Sequence, residues 1–213
     1  MCPKSIVDTL ICEFDTALRT IFTPLKRQSA RGTPGRGLPE AALNDEERRH
    51  VAGLMRVNHA GEVSAQALYQ GQALTAQLTE VKAQMTQAAI DEVDHLAWCE
   101  QRLQELNSKP SVLNPLWYTG SLFLGAIAGL FGDKWSLGFV AETERQVTNH
   151  LEKHLAELPS QDKKSRAILM KMKSDETKHA HLAVAAGAAD LPSGVKHLMQ
   201  GVSALLTYSC YYL

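Results

Sequence analysis

Two copies of Glu-x-x-His, Glu92-Val-Asp-His95 and Glu176-Thr-Lys-His179, constrain this chain more than any other feature. The spacing puts a carboxylate and an imidazole on neighbouring turns of one helix face. In each half a lone glutamate precedes the pair by about the length of a helical hairpin, Glu62 before the first and Glu144 before the second. All six residues fall on apolar stripes. Val51, Met55, Ala65, Tyr69 and Ala73 share a face with Glu62, while Val81, Met85, Ala88, Cys99 and Leu106 share one with Glu92 and His95. Val140, Val147, Leu151, Leu155 and Leu158 accompany Glu144, and Leu169, Met172, Ala183 and Ala186 accompany Glu176 and His179.

A buried carboxylate without a partner costs several kcal/mol or shifts its pKa until it is neutral, so four of them on four core stripes require a shared cation. One glutamate from each of two helices, with Glu-x-x-His from each of two others, is the ligand set of di-iron and di-manganese carboxylate bundles. Hard oxygens with imidazole suit iron or manganese better than copper. The competing reading is a surface lattice of ion pairs, because one Glu-x-x-His alone arises by chance on many helices. Glu62, Glu92, His95, Glu144, Glu176 and His179 are therefore the expected metal ligands.

The fold expected around them is all-α. Helices are predicted over 45–76, 80–106, 113–131, 135–158 and 161–186, with an apolar tail over 191–213, and alternating β-type runs are almost missing. Asn44 or Asp45 stands as an N-cap before the first of these, and Asn107, Ser108 and Pro110 end the second. A weakly helical leader over 1–25 runs into Arg31-Gly-Thr-Pro-Gly-Arg-Gly37, which reads as a mobile linker. The chain accordingly divides into a leader and linker, 1–40, and a bundle with a C-terminal apolar helix, 41–213.

Other groups carry weaker signals. His150 follows Glu144 by six residues and can orient a ligand or substrate. His59, His154 and His181 read as supporting or surface groups. Asp91, Asp94 and Asp175 flank the ligands and are placed either to accept from the opposing histidines or to face solvent. Cys99 reads as a small core hydrophobe.

The 22 Lys and Arg against 23 Asp and Glu give a net charge of -1, which offers no footprint for nucleic acid, and none is expected as a partner. Cys2, Cys12, Cys99 and Cys210 are widely spaced, which argues against a disulfide scaffold and for a reducing compartment. No secretory signal is read, and no stretch reaches the roughly 20 apolar residues of a membrane span. Segment 113–131 comes nearest. Trp117, Tyr118 and Phe123 suit a bilayer surface, and Gly120, Gly125 and Gly129 suit close helix contact, a dimer face included. An ordinary core helix is the other reading of that segment.

Met55-Arg-Val-Asn-His-Ala-Gly-Glu62, Asp91-Glu-Val-Asp-His95, Phe139-Val-Ala-Glu-Thr-Glu144 and Asp175-Glu-Thr-Lys-His179 together resemble the demethoxyubiquinone hydroxylase family of ubiquinone biosynthesis, over nearly the whole body from Asn44 onward. The resemblance implies a ferritin-like four-helix bundle with additional apolar, membrane-associated helices. It implies a monooxygenase that hydroxylates the ring of a polyprenylated methoxy-benzoquinol, with two iron ions, Fe2+ when reduced, and O2 as co-substrate. No Gly-x-Gly-x-x-Gly follows a strand, so electrons come from an external donor, a partner or NADH bound otherwise, or from the quinol. The implied partners are the quinol, the membrane surface and a further copy or a biosynthetic complex. The implied location is the cytoplasmic face of a bacterial inner membrane, with the mitochondrial inner membrane as the alternative. By motif either Glu142 or Glu144 fills the ligand position of its helix, and the apolar stripe favours Glu144. Leu151 stands where some members carry an aromatic, which weakens any electron-relay role at His150. Another ferritin-like oxidase, a manganese catalase, an iron-storage protein and a metal-free membrane scaffold are the alternative functions.

Overall fold

The computed structural model describes residues 5–22, 27 and 29–213, and of these it folds seven helices and no strand. They are α1 (Ile6–Ile21), α2 (Asp45–Thr75), α3 (Thr79–Glu105), α4 (Asn114–Leu130), α5 (Asp133–Glu157), α6 (Lys163–Ala185) and α7 (Ser193–Tyr212). The ends follow local chemistry. Asn44 accepts from the Glu47 N–H while the Glu47 side chain accepts from Asn44, which closes both orphan donors at the start of α2. Asn107, at φ 55°, takes the left-handed position just beyond α3.

The short connections 76–78 and 158–162 fold α2 with α3 and α5 with α6 into two hairpins, which make the four-helix bundle. Its core is two apolar clusters. One contains Val51, Leu54, Met55, Trp98, Leu103, Leu151, Ile168, Leu169 and Met172. The other contains Tyr69, Val81, Met85, Leu137, Val140 and Ala183. On every bundle helix the expected ligand residues fall between a residue of one cluster and a residue of the other. The polar layer is thus sealed from both ends by side chains that exclude water.

The remaining helices wrap this bundle. On α4, Tyr118, Gly125 and Gly129 share the face turned to α2, and they are buried. A Cβ on Gly125 would stand 2.2 Å from the Leu68 carbonyl oxygen, and one on Gly71 of α2 would stand 2.2 Å from that of Leu122. The glycines at 125 and 129 therefore serve the expected close helix contact, made here within the chain. Gly120 has no neighbour there. Tyr118, expected at a lipid surface, is only 2% exposed because its hydroxyl donates to Gln70, whereas Phe123 is 64% exposed. No helix among the described residues is long and apolar enough to cross a membrane.

The leader is a capped helix, α1, whose Ala17 and Ile21 pack on a small cluster of Val63, Ala67, Leu96 and Tyr118. The predicted leader's ends at 1–4 and 23–25, with Cys2, lie outside the described residues. The glycine-rich stretch that reads as a mobile linker is instead tied down: Arg31 bonds Asp94 and Asp175, and Thr33 bonds Gln101. Composition signalled flexibility there, and long-range ion pairs overrode it.

Candidate metal centre

The structure brings all six expected ligand residues into one buried layer. Ligand atoms of Glu62, Glu92, His95 and Glu176 lie within 4.8 Å of one another, as do those of Glu92, Glu144, Glu176 and His179. Two sets therefore share Glu92 and Glu176, the two residues of the Glu-x-x-His pairs that face each other. His95 Nδ1 lies 3.0 Å from Glu92, 3.3 Å from Glu62 and 2.9 Å from Glu176. His179 Nδ1 lies 3.1 Å from Glu176 and 3.6 Å from Glu92.

Both rings turn the opposite nitrogen outward across the bundle. His95 Nε2, on α3, is 3.1 Å from Asp175 of α6, and His179 Nε2, on α6, is 3.3 Å from Asp91 of α3. Each imidazole thus donates Nε2–H to a carboxylate and keeps Nδ1 for the cluster, the arrangement that orients metal-bound histidines. Of the three aspartates singled out from sequence, Asp94 alone does otherwise. It accepts from Arg31 and from the Ala30 N–H.

The electrostatics call for a cation. Burial, and then the charge of Glu176, pushes the carboxyls of Glu92 and Glu144 well above the usual carboxylate range. Burial opposes ionisation of Glu176 too, but hydrogen bonds from His179 and His95 win and hold it low. Burial would depress His95, yet the charge of Glu92 and the bond to Asp175 raise it well above its ordinary value. Glu92 Oε1 and Glu144 Oε1 are buried with no hydrogen-bond partner. Orphaned acceptors at the centre of a water-excluding layer are what a metal ion would satisfy. The cluster can hold a metal, and its donor set of carboxylate and imidazole fits iron.

The family model described as ubiquinone biosynthesis protein COQ7 matches residues 49–210, which include the whole of this layer. The chain belongs to the COQ7 family. A relative named 3-demethoxyubiquinol 3-hydroxylase, from Legionella pneumophila (strain Paris), is 62% identical over 210 residues, 99% of each chain. Relatives with the same name from Nitrosococcus oceani and Nitrosospira multiformis are 54% and 56% identical, over 98% and 97% of this chain and 97% and 99% of theirs.

In this COQ7-family chain Glu142 and Glu144 separate cleanly. Glu142 is bonded to Arg145 at 2.6 Å and Gln146 at 2.8 Å and stands outside both sets, whereas Glu144 is in one. A cavity of about 250 Å³ opens between α2, α4, α5 and α7, with Glu62 and His150 in its wall. Most of its lining is apolar, Leu68, Leu124, Phe139, Val147 and Leu198 among it. Three buried polar atoms on lining residues lack partners: Asn58 Nδ2, Trp117 Nε1 and His150 Nε2. His150 packs against His154 with the rings tilted by 59° and their centroids 3.9 Å apart, and burial lowers it to about 4, so its imidazole is neutral. His154 in turn pairs with Asn58 at 3.0 Å. Sequence reading missed Asn58, although its place one turn before Glu62 on the same face was a usable signal. It also missed a buried chain in which Arg27 bonds Glu100 at 3.1 Å and Glu100 meets His59 at 3.3 Å. Only the fold brings those three together.

Proposed function

We propose that this chain is the hydroxylase of a demethoxyubiquinol, inserting one atom of O2 into the ring of a polyprenylated methoxy-benzoquinol at a di-iron centre. The observation that carries the substrate class is the cavity. An apolar pocket whose lining residues carry a few unsatisfied polar groups suits a molecule with a polar head and a greasy tail. Its lining includes the exposed residues Leu124, Leu198 and Val202, so the cavity opens on an apolar surface. A manganese catalase or an iron store has no use for such a cavity, and a metal-free scaffold leaves the four carboxylates unexplained.

In this reading Glu62, Glu92, His95 and Glu176 would hold one iron, and Glu92, Glu144, Glu176 and His179 would hold the other. When bound, the irons would supply activation of O2, and two electrons from an external reductant, with NADH the donor to test, together with two protons would carry the second oxygen atom away as water. The chain's own residues do the rest. Asn58 Nδ2 and Trp117 Nε1 donate to ring oxygens, and the neutral His150 accepts a quinol O–H at Nε2. Leu151, buried in the core, closes the wall where an aromatic would stand in some relatives. The apolar clusters above and below the layer keep bulk water from the reacting ring. The exposed apolar residues of α1, α4 and α7 rest against the cytoplasmic face of a membrane, from which the prenylated substrate is drawn.

The test is iron content and conversion of a short-chain demethoxyubiquinol by reduced protein in O2, with product read by mass spectrometry as gain of one oxygen atom. About two irons per chain and hydroxylated product are expected, both lost in Glu144→Ala and both kept in Glu142→Ala. Iron without product moves the function to another oxidase, and absence of iron sinks the reading.

A further inference from the structure

The segment that leads into the bundle reaches the metal layer from outside. Arg31 spreads its guanidinium over both helices that carry Glu-x-x-His. Nε meets Asp94 Oδ2 at 2.5 Å and Nη2 meets the Asp91 carbonyl at 3.3 Å, both on α3, while Nη1 meets Asp175 Oδ2 at 2.8 Å on α6. Asp175 Oδ2 is the same atom that accepts from His95 Nε2. The guanidinium also lies 5.0 Å from the centre of the Trp98 ring, which is itself 5.2 Å from the His95 ring. A planar fork with five donors can hold such a three-point position, and a single ammonium cannot.

The support is lopsided. Asp175 is gripped by Arg31 on the oxygen that serves His95 and by Lys171 on the other. Asp91, which serves His179, is a third exposed, and its other carboxylate bond is to the neutral Gln87 at 3.2 Å. Nothing comparable to the guanidinium clamps it among the described residues.

We propose that Arg31 is a positioning residue of the metal centre, clamping Asp175 so that His95 keeps Nε2–H outward and aims Nδ1 at the iron it shares with Glu62. The inference rests on the di-iron reading. Without the guanidinium, Asp175 keeps only Lys171, through its other oxygen, and is free to rotate away from His95. The iron held by His179 and Glu144 keeps its own support.

The experiment titrates the full chain anaerobically with Fe2+ against a chelator and records Mössbauer spectra of protein loaded with 57Fe. Arg31→Gln is expected to weaken one of the two irons by about ten- to a hundred-fold, the usual cost of losing an outer partner of a ligand, and to alter one spectral component. The double variant Ser29→Ala with Thr33→Val releases the same segment from Trp98 and Gln101 and removes the Ser29 bond to Asp94, while Arg31 keeps its own bonds to Asp94 and Asp175, and it is expected to leave both irons unchanged. Wild-type affinity and spectrum in Arg31→Gln, equal weakening of both irons, or equal weakening in the double variant would each overturn the proposal. Should Arg31→Gln fail to fold, Arg31→Lys is read by the same criteria. Failure of the wild-type chain to take up iron strikes the di-iron reading instead, so the two failures are distinguishable.

Discussion

His150 and His154 stand one turn apart on α5 with their rings in contact, and burial keeps both uncharged. Their pKa values fall from the ordinary 6.5 to about 4 and about 3, first by desolvation and then by Lys153 for the one and by His150 for the other. The sign of the pH effect follows. Above the unfolded value neither state binds the proton, so stability is unaffected. As pH drops from about 6.5 toward 4, the unfolded chain takes up protons that the folded chain refuses, and stability is lost. Denaturant midpoints compared at pH 7.5 and pH 5 should therefore fall more in the wild type than in His154→Gln, which removes one of the two groups. An equal fall in both proteins would mean that His154 is not held neutral. The same neutrality leaves His150 Nε2 an acceptor for a hydroxyl in the cavity.

Elements divide by how their contacts are encoded. The helices of the bundle were legible because each repeats its apolar positions at three- and four-residue steps, and the six cluster residues were legible because they break those stripes with charge. The choice of Glu144 over Glu142 came from the same stripe. What sequence could not reveal were contacts made by shape or across long separations. Arg31 meets Asp175, 144 positions away, and a glycine-rich run gives no local sign of that. The glycines of α4 signal close approach but not the partner. Here it is α2, and the prediction belongs to that pair of helices. Gly125→Leu would drive a Cβ into the Leu68 carbonyl, which is backbone and cannot yield. We expect a loss of about 3 kcal/mol by chemical denaturation, at the upper end of overpacking costs. Gly120→Ala meets nothing within 4 Å and should instead stabilise by about 0.5–1 kcal/mol, as removing a glycine from an exposed helix does. Equal effects at the two positions would contradict the intramolecular use of these glycines.

Across the molecule, the apolar residues left outside the core are concentrated on three helices that are not part of the bundle. Leu10, Ile11 and Phe14 of α1, Phe123, Ile127 and Leu130 of α4, with Phe131 at its end, and Leu198, Leu205 and Tyr208 of α7 are all at least half exposed. α1 packs against α4, and α4 and α7 share a wall of the cavity, which Leu198 lines. Exposed apolar side chains on three helices outside the bundle are what the membrane face of the proposed hydroxylase would present. With no helix able to span and a net charge near zero, association would rest on shallow insertion of side chains rather than on attraction to anionic headgroups. Two consequences separate this from electrostatic binding. Flotation with phosphatidylcholine vesicles should be nearly unchanged between low salt and 0.5 M salt. Phe123→Asp with Leu130→Asp should reduce it at least ten-fold, because each side chain forfeits on the order of 1–2 kcal/mol of apolar burial and adds a charge to desolvate. The iron content of that double variant should stay at the wild-type level, since neither residue reaches the metal layer, and conversion of a water-soluble quinol should survive while that of a long-tailed one in vesicles collapses. If both substrates are turned over as before, the cavity is filled from solution and the apolar face serves another partner.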